Sequence, residues 1–185
     1  MKHKNNMIWI DCEMTGLDFE NDTILEIASV VTDAELNVVA EGPALVIHKP
    51  KTVIEAMGEW CQKQHKRSEL IYDVHQSQTT LEQAEEQTLA FLEEYCFPRI
   101  SPLCGNSVWS DRMFLRREMP KVDAFTNYRI VDVSSIKELV KRWYQIEPET
   151  AFVKKELHRA QPDIYESINE LKFYRDTFFI PAGML

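Results

Sequence analysis

No apolar run in this chain approaches the roughly 18 residues needed to cross a bilayer, and no linker, low-complexity tract or internal repeat divides its 185 residues. The first absence argues against a membrane span, the second against two domains. Close cysteine pairs are missing as well. Cys12, Cys61, Cys96 and Cys104 are scattered, which excludes a disulfide framework or a thiolate zinc site and predicts reduced core or strand residues. There is no basic excess: 21 Lys and Arg against 30 Asp and Glu leave a net charge of −9. That balance opposes long-range attraction of a polyanion such as a long duplex nucleic acid, so any nucleic-acid ligand should be short and locally gripped. The start, Met1 to Asn6, is basic and reads as a flexible end. The apolar run behind it is cut at Asp11, so no signal-peptide core forms and a cytoplasmic protein is expected.

What is present is globular, 44% hydrophobic and 28% charged. Met7 to Cys12 reads as a first strand, Thr23 to Thr32 as a second and Asn37 to His48 as a third, with Gly42-Pro43 as a bulge or bend. Short links between them predict an antiparallel meander. The pattern then turns helical. Thr52 to Lys66 is amphipathic, and Thr79-x-x-Glu82 or Thr80-x-x-Gln83 makes a capping box for a helix carrying Leu81, Ala84, Thr88, Phe91, Leu92 and Tyr95.

Pro102 to Asn106 reads as a short strand, followed by a helix opening at Ser110 to Leu115 and stopping near Pro120. Tyr128 to Val133 is a last strand, and Ser135-x-x-Glu138 caps the next helix. A polar segment from Gln145 to Glu156 precedes a final helix from Pro162 to about Phe178. Proline is tolerated only in a first turn, which places His158 just before that helix and Asp163 in its first turn. Strands followed by alternating strand-helix units predict a single α/β domain over residues 1–185 with one mixed sheet.

The chemistry concentrates in Trp9 to Leu17. Residues i and i+2 of a strand share a face, so Asp11 and Glu13 can aim two carboxylates at one point. Two such groups repel unless a cation lies between them. Taken alone, the pair also reads as the solvated polar end of a strand. Asp111 and Asp163 likewise read singly as first-turn acids that complement a helix dipole.

Four stretches carry a resemblance when taken together: Trp9-Ile10-Asp11-Cys12-Glu13-Met14-Thr15-Gly16-Leu17; Cys104-Gly105-Asn106-Ser107 with Asp111-Arg112 and Phe114-Leu115; Tyr128-Arg129 with Asp132-Val133-Ser134; and His158-Arg159-Ala160 with Asp163-Ile164 and Glu166-Ser167. In this order and spacing, from Met7 to about Phe179, the chain resembles the oligoribonucleases, in the His-containing branch of the DEDD superfamily of 3′-to-5′ exonucleases.

The resemblance implies a ribonuclease H-like fold: a three-stranded antiparallel meander plus parallel strands, flanked by helices. It also implies two divalent ions, Mg²⁺ or Mn²⁺, held by Asp11, Glu13, Asp111 and Asp163, with Asp11 shared between them. All-oxygen donors suit those metals, and a metal pair can stabilise both the attacking and the leaving oxygen of a phosphodiester. His158 would be the general base, since an imidazole ordinarily titrates near ~6.5.

By the same resemblance Leu17 would wedge between two bases, and Trp60 and His65 would line the site. Ser107, Arg129 and Ser134 would hold a 5′ phosphate. Tyr128 would serve the catalytic site of a second subunit, implying a homodimer. The substrates would be short RNA oligonucleotides, dinucleotides above all, cut to 5′-mononucleotides. Core packing is the other reading of Leu17 and Trp60, and helix capping that of Ser134. The chain departs from the family at Pro162, where an acid usually precedes the metal-binding Asp163. Two other functions fit parts of the pattern: a DNA-directed proofreading exonuclease, disfavoured by the acidic net charge and the Tyr128-Arg129 and Ser134 motif, and a catalytically silent nucleotide-binding module, disfavoured by the intact set of four acids and His158.

Overall fold

The computed structural model describes residues 1–145 and 158–181. Strand β1 (Met7–Met14) continues into β2 (Ile24–Thr32) and β3 (Val38–Val46) as the expected antiparallel meander. On the other side of β1, β4 (Leu103–Gly105) pairs with it in parallel and β5 (Ile130–Asp132) pairs in parallel with β4. The order is β3-β2-β1-β4-β5, one mixed five-stranded sheet.

Helices α1 (Lys51–Glu55), α2 (Glu59–Arg67) and α3 (Leu70–Gln76) follow β3, then α4 (Leu81–Tyr95). After β4 come α5 (Val108–Glu118) and α6 (Pro120–Phe125), and after β5 come α7 (Val133–Tyr144) and α8 (Ala160–Phe178). Alternation along β1 divides them between two layers. Ile8, Ile10 and Cys12 pack with Ala84, Leu92, Phe114 and Val122 of α4 to α6. Trp9 points the other way, into a core with Val140 of α7 and Ile164, Ile168 and Tyr174 of α8. Among the described residues no helix is long and apolar enough to cross a membrane. The four cysteines are free, and three of them are buried.

Several boundaries differ from the sequence reading. The single helix over Thr52 to Lys66 is two, because the chain turns extended at Gly58 (φ −61°, ψ 151°) and buries Met57 beneath α3. The helix after β4 starts at Val108 rather than Ser110, and Pro120 begins α6 as its first residue instead of merely ending α5. Ser135 caps nothing: β5 runs directly into α7, and Asp132 is the cap, accepting from Ser134 N at 2.9 Å. The last helix starts at Ala160, two residues before Pro162, which still falls in its first turn. Of the two capping boxes, Thr80 with Gln83 forms (3.0 and 3.2 Å). All but the first residue of the polar segment Gln145 to Glu156 lies outside the described residues.

The bulge at Gly42-Pro43 is as expected. Ala28 pairs with Ala44 and Val30 with Glu41, so two residues of edge strand β3 face Ser29 alone, where proline's missing N–H breaks no ladder bond. A Cβ on Gly42 would lie 2.3 Å from Ser29 Oγ and 2.5 Å from the Phe91 ring. Overpacking of this kind costs about 1–3 kcal/mol, so Gly42→Ala should lower Tm by roughly 2–12 °C for a chain of this size. An unchanged Tm in a thermal melt would mean that β3 can move off α4 freely.

Candidate active site

The carboxylates of Asp11 and Glu13 leave β1 on the layer that α8 covers, at the strand's C-terminal end. β1 extends to Met14, so both acids are strand residues, paired with Ala28 and Glu26 of β2. Asp111, in the first turn of α5, reaches across the same strand end and accepts from Cys12 N at 2.9 Å. Asp163 sits in the first turn of α8, and His158 just ahead of it in a left-handed conformation (φ 51°). One donor atom each from Glu13, His158 and Asp163 lies within 4.8 Å of the others. Asp11, His158 and Asp163 line a cavity of about 410 Å³ together with Trp60, Gln64, Asn106, Glu166 and Ser167.

Left-handed backbone costs a non-glycine residue about 1–2 kcal/mol, and a clamp holds His158 in place. The Arg159 guanidinium forks onto Glu26 of β2 (2.9 to 3.2 Å) and reaches Asp73 of α3 at 2.9 Å. Glu26 also accepts Ala160 N at 3.0 Å. A buried carboxylate thus caps α8 at its positive end and fixes the residue next to His158.

Burial and mutual repulsion disfavour a full set of charges on these carboxylates. Burial, then Asp111, Glu13, Asp163 and Glu26, push Asp11 well above the usual carboxylate range. Burial, Asp163, Glu26 and Asp111 raise Glu13 to about 8 against the opposing pull of Arg159. Burial raises Asp111 to about 7, with the Cys12 N–H opposing it. Such a group of carboxylates favours protons or metal ions, and its hard oxygens fit a divalent ion of the magnesium type.

The other expected residues fall into separate places. Trp60 is 63% and Leu17 72% exposed, which rules out core packing for both. The Trp60 ring meets that of His158 edge to face, with centroids 5.8 Å apart. His65 is buried instead of facing the cavity: its Nε2 lies 2.8 Å from the Met14 carbonyl and its Nδ1 3.7 Å from Glu13. Burial drives His65 down and Glu13 up, each towards its neutral form, which weakens that contact as an ion pair.

Ser107 and Ser134 meet, their hydroxyls 3.1 Å apart, in a neighbouring groove of about 510 Å³. Arg129 stacks over the ring of Tyr128 (4.6 Å), which is 74% exposed. These two residues line neither cavity. Sequence reasoning attached no role to Glu26, Arg159, Gln64 or Asn106. For Glu26 a signal existed, since it is the one charged residue in a strand that is otherwise uncharged and wholly buried.

Comparison with known proteins places this geometry in a family. A family model described as an exonuclease matches residues 8–171. An oligoribonuclease of Dichelobacter nodosus is 51% identical over 97% of this chain and 98% of its own length. One of Acinetobacter baylyi is 50% identical over 94% of each. Among solved structures, exonuclease I of Methylocaldum szegediense superposes with a TM-score of 0.70 at 17% identity, over 94% of this chain. The chain spans 41% of that larger protein, and the likeness is one of fold, the ribonuclease H-like mixed sheet flanked by helices. With relatives this similar over nearly its full length and four acids gathered at the end of β1, the chain belongs to the oligoribonuclease family.

Proposed function

We propose that this chain is a metal-dependent 3′-to-5′ exoribonuclease that shortens oligoribonucleotides of a few residues, dinucleotides included, to 5′-mononucleotides. The observation that carries the reading is the cluster of Asp11, Glu13, Asp111 and Asp163 beside His158, in which burial raises three acids and their neighbours' charges raise Asp11 and Glu13 further. Asp11, Glu13, Asp111 and Asp163 would hold the divalent ions, Mg²⁺ or Mn²⁺ by their donor chemistry. When bound, the ions supply charge stabilisation for the phosphodiester oxygens.

The residues of the chain do the rest. His158 takes the proton of the attacking water as its oxygen bonds to the terminal phosphorus. The bond from phosphorus to the 3′ oxygen breaks, and that oxygen takes a proton from solvent to become the 3′ hydroxyl of the shortened chain. Leu17 and Trp60 offer exposed apolar faces to the bases, where stacking contributes about 1–3 kcal/mol per base. Ser107 and Ser134 take a 5′ phosphate, with Arg129 as a planar cation for it, which limits substrate length. The exposed Tyr128 reaches the site of a second subunit in a homodimer. The net charge of −9 disfavours long duplexes, and the setting is cytoplasmic.

A labelled diribonucleotide, a heptaribonucleotide and a long single-stranded DNA, each incubated with Mn²⁺ and with EDTA, test the reading. Stepwise release of mononucleotides from both RNAs, abolished by EDTA, is expected. Uncut dinucleotide would sink the proposal, and a preference for the long DNA would favour a proofreading-type enzyme.

A further inference from the structure

Between the acidic cavity and the serine groove stands Asn106, at the C-terminal end of β4. Its Nδ2 donates to Ser167 Oγ at 2.8 Å and to Glu170 Oε2 at 3.0 Å, both on buried faces of α8. Its Oδ1 accepts from Ser134 Oγ at 3.1 Å. The orientation of this amide follows from its neighbours. A carboxylate accepts and does not donate, so the NH₂ group must face Glu170 and the carbonyl must face Ser134. Glu170 is itself fixed, because Oε1 takes the hydroxyl of the fully buried Tyr174 at 2.8 Å. On the groove side, Ser134 Oγ also accepts Ser107 N at 3.0 Å.

One amide therefore ties the helix that carries Asp163 to the two serines of the neighbouring groove. We infer that Asn106 is a positioning and specificity-determining residue: Glu170 and Ser167 set its amide, and the amide sets the Ser134 and Ser107 hydroxyls for the 5′ phosphate. The inference rests on the reading of those serines as phosphate holders. Without the Asn106 carbonyl, the Ser134 hydroxyl loses the acceptor that orients it. Without the NH₂ group, the amide loses the Ser167 and Glu170 contacts that hold its orientation. Preference for a 5′-phosphorylated dinucleotide over its 5′-hydroxyl counterpart should then depend on a side chain that lies behind the phosphate holders, and on Glu170, which lies one shell further back in the core.

The measurement is kcat/KM for both dinucleotides with Mn²⁺, for wild type, Asn106→Ala, Glu170→Gln and Ser134→Ala. Asn106→Ala should reduce the phosphorylated-to-hydroxyl ratio about tenfold, mainly through KM of the phosphorylated substrate. Glu170→Gln should keep most of the ratio, since its carbonyl can still accept from Asn106 while its NH₂ donates to Tyr174. If Ser134→Ala lowers the ratio and Asn106→Ala does not, the inference is overturned while the phosphate-holding role stands. If neither lowers it, both fall. Should Asn106→Ala not fold, Asn106→Ser serves: its short hydroxyl cannot reach Ser134 and Glu170 together, so the same selective loss is expected, and a retained ratio overturns the inference.

Discussion

Asp111→Asn should cut hydrolysis on the order of 10³-fold and yet leave the cation-free protein at least as stable as wild type at pH 8. Asp111 moves from 3.8 to about 7 in the folded protein, burial being the main cause. A folded value above the unfolded one means that the native state holds the proton more tightly. The associated stability is present below the unfolded value and is lost as pH rises through about 7. At pH 8 the wild type without metal bears the full cost of a buried, repelled charge, and the amide does not. Its carbonyl can still accept the Cys12 N–H, and its NH₂ faces carboxylates.

In melts with EDTA, the wild-type Tm should therefore fall more between pH 5 and pH 8 than that of the variant. Mn²⁺ at about 100 times its Kd stabilises by about 2.7 kcal/mol, which is roughly 5–11 °C for a chain of this size, and most of that gain should be absent in the variant. Activity should drop on the order of 10³-fold, since a metal supplies several kcal/mol of charge stabilisation and about 1.4 kcal/mol is tenfold in rate. A variant destabilised equally at both pH values would make Asp111 a structural residue.

His158→Ala should lower kcat on a dinucleotide by about 10²–10⁴-fold while KM stays within a few-fold. The ring stands among Glu13 and Asp163 and touches Trp60 only edge-on, so its loss removes a proton acceptor and little binding surface. The backbone is held independently by Arg159 on Glu26, so the position of Asp163 survives the substitution. A fall confined to kcat is the signature of an interaction made in the transition state. Added imidazole should restore part of the rate. Unchanged kcat would remove His158 as the base, and a rise in KM alone would make it a binding residue.

The meander, the Gly42 bulge and the placement of Asp163 in a first turn were legible because each follows from local rules: alternation, turn chemistry and the constraint of Pro162. Asp11 and Glu13 were legible as a pair for the same reason. The break at Gly58 was not, because the amphipathic period continues through it and only the burial of Met57 under α3 decides the matter. Asp132 displaced Ser135 as a cap because β5 and α7 share a junction with no loop, a tertiary fact. The Glu26–Arg159 clamp joins residues 133 positions apart, and no local pattern encodes such a pair. The resemblance places His65 at the site, and the structure buries it there with Nε2 on the Met14 carbonyl and Nδ1 3.7 Å from Glu13, a depth that no local pattern in the sequence specifies.

Glu13 and Glu26 lie directly opposite each other in the β1–β2 ladder, one turned to the cation site and the other to Arg159. Strand side chains alternate faces, so slipping this pairing by a single residue would leave only one of the two on the α8 layer. The acid cluster and the anchor of the base would separate in the same error. Strand register in this protein therefore decides whether the anchor of His158 and Arg159 meets the acids it serves, so a single hairpin pairing sets both halves of the site.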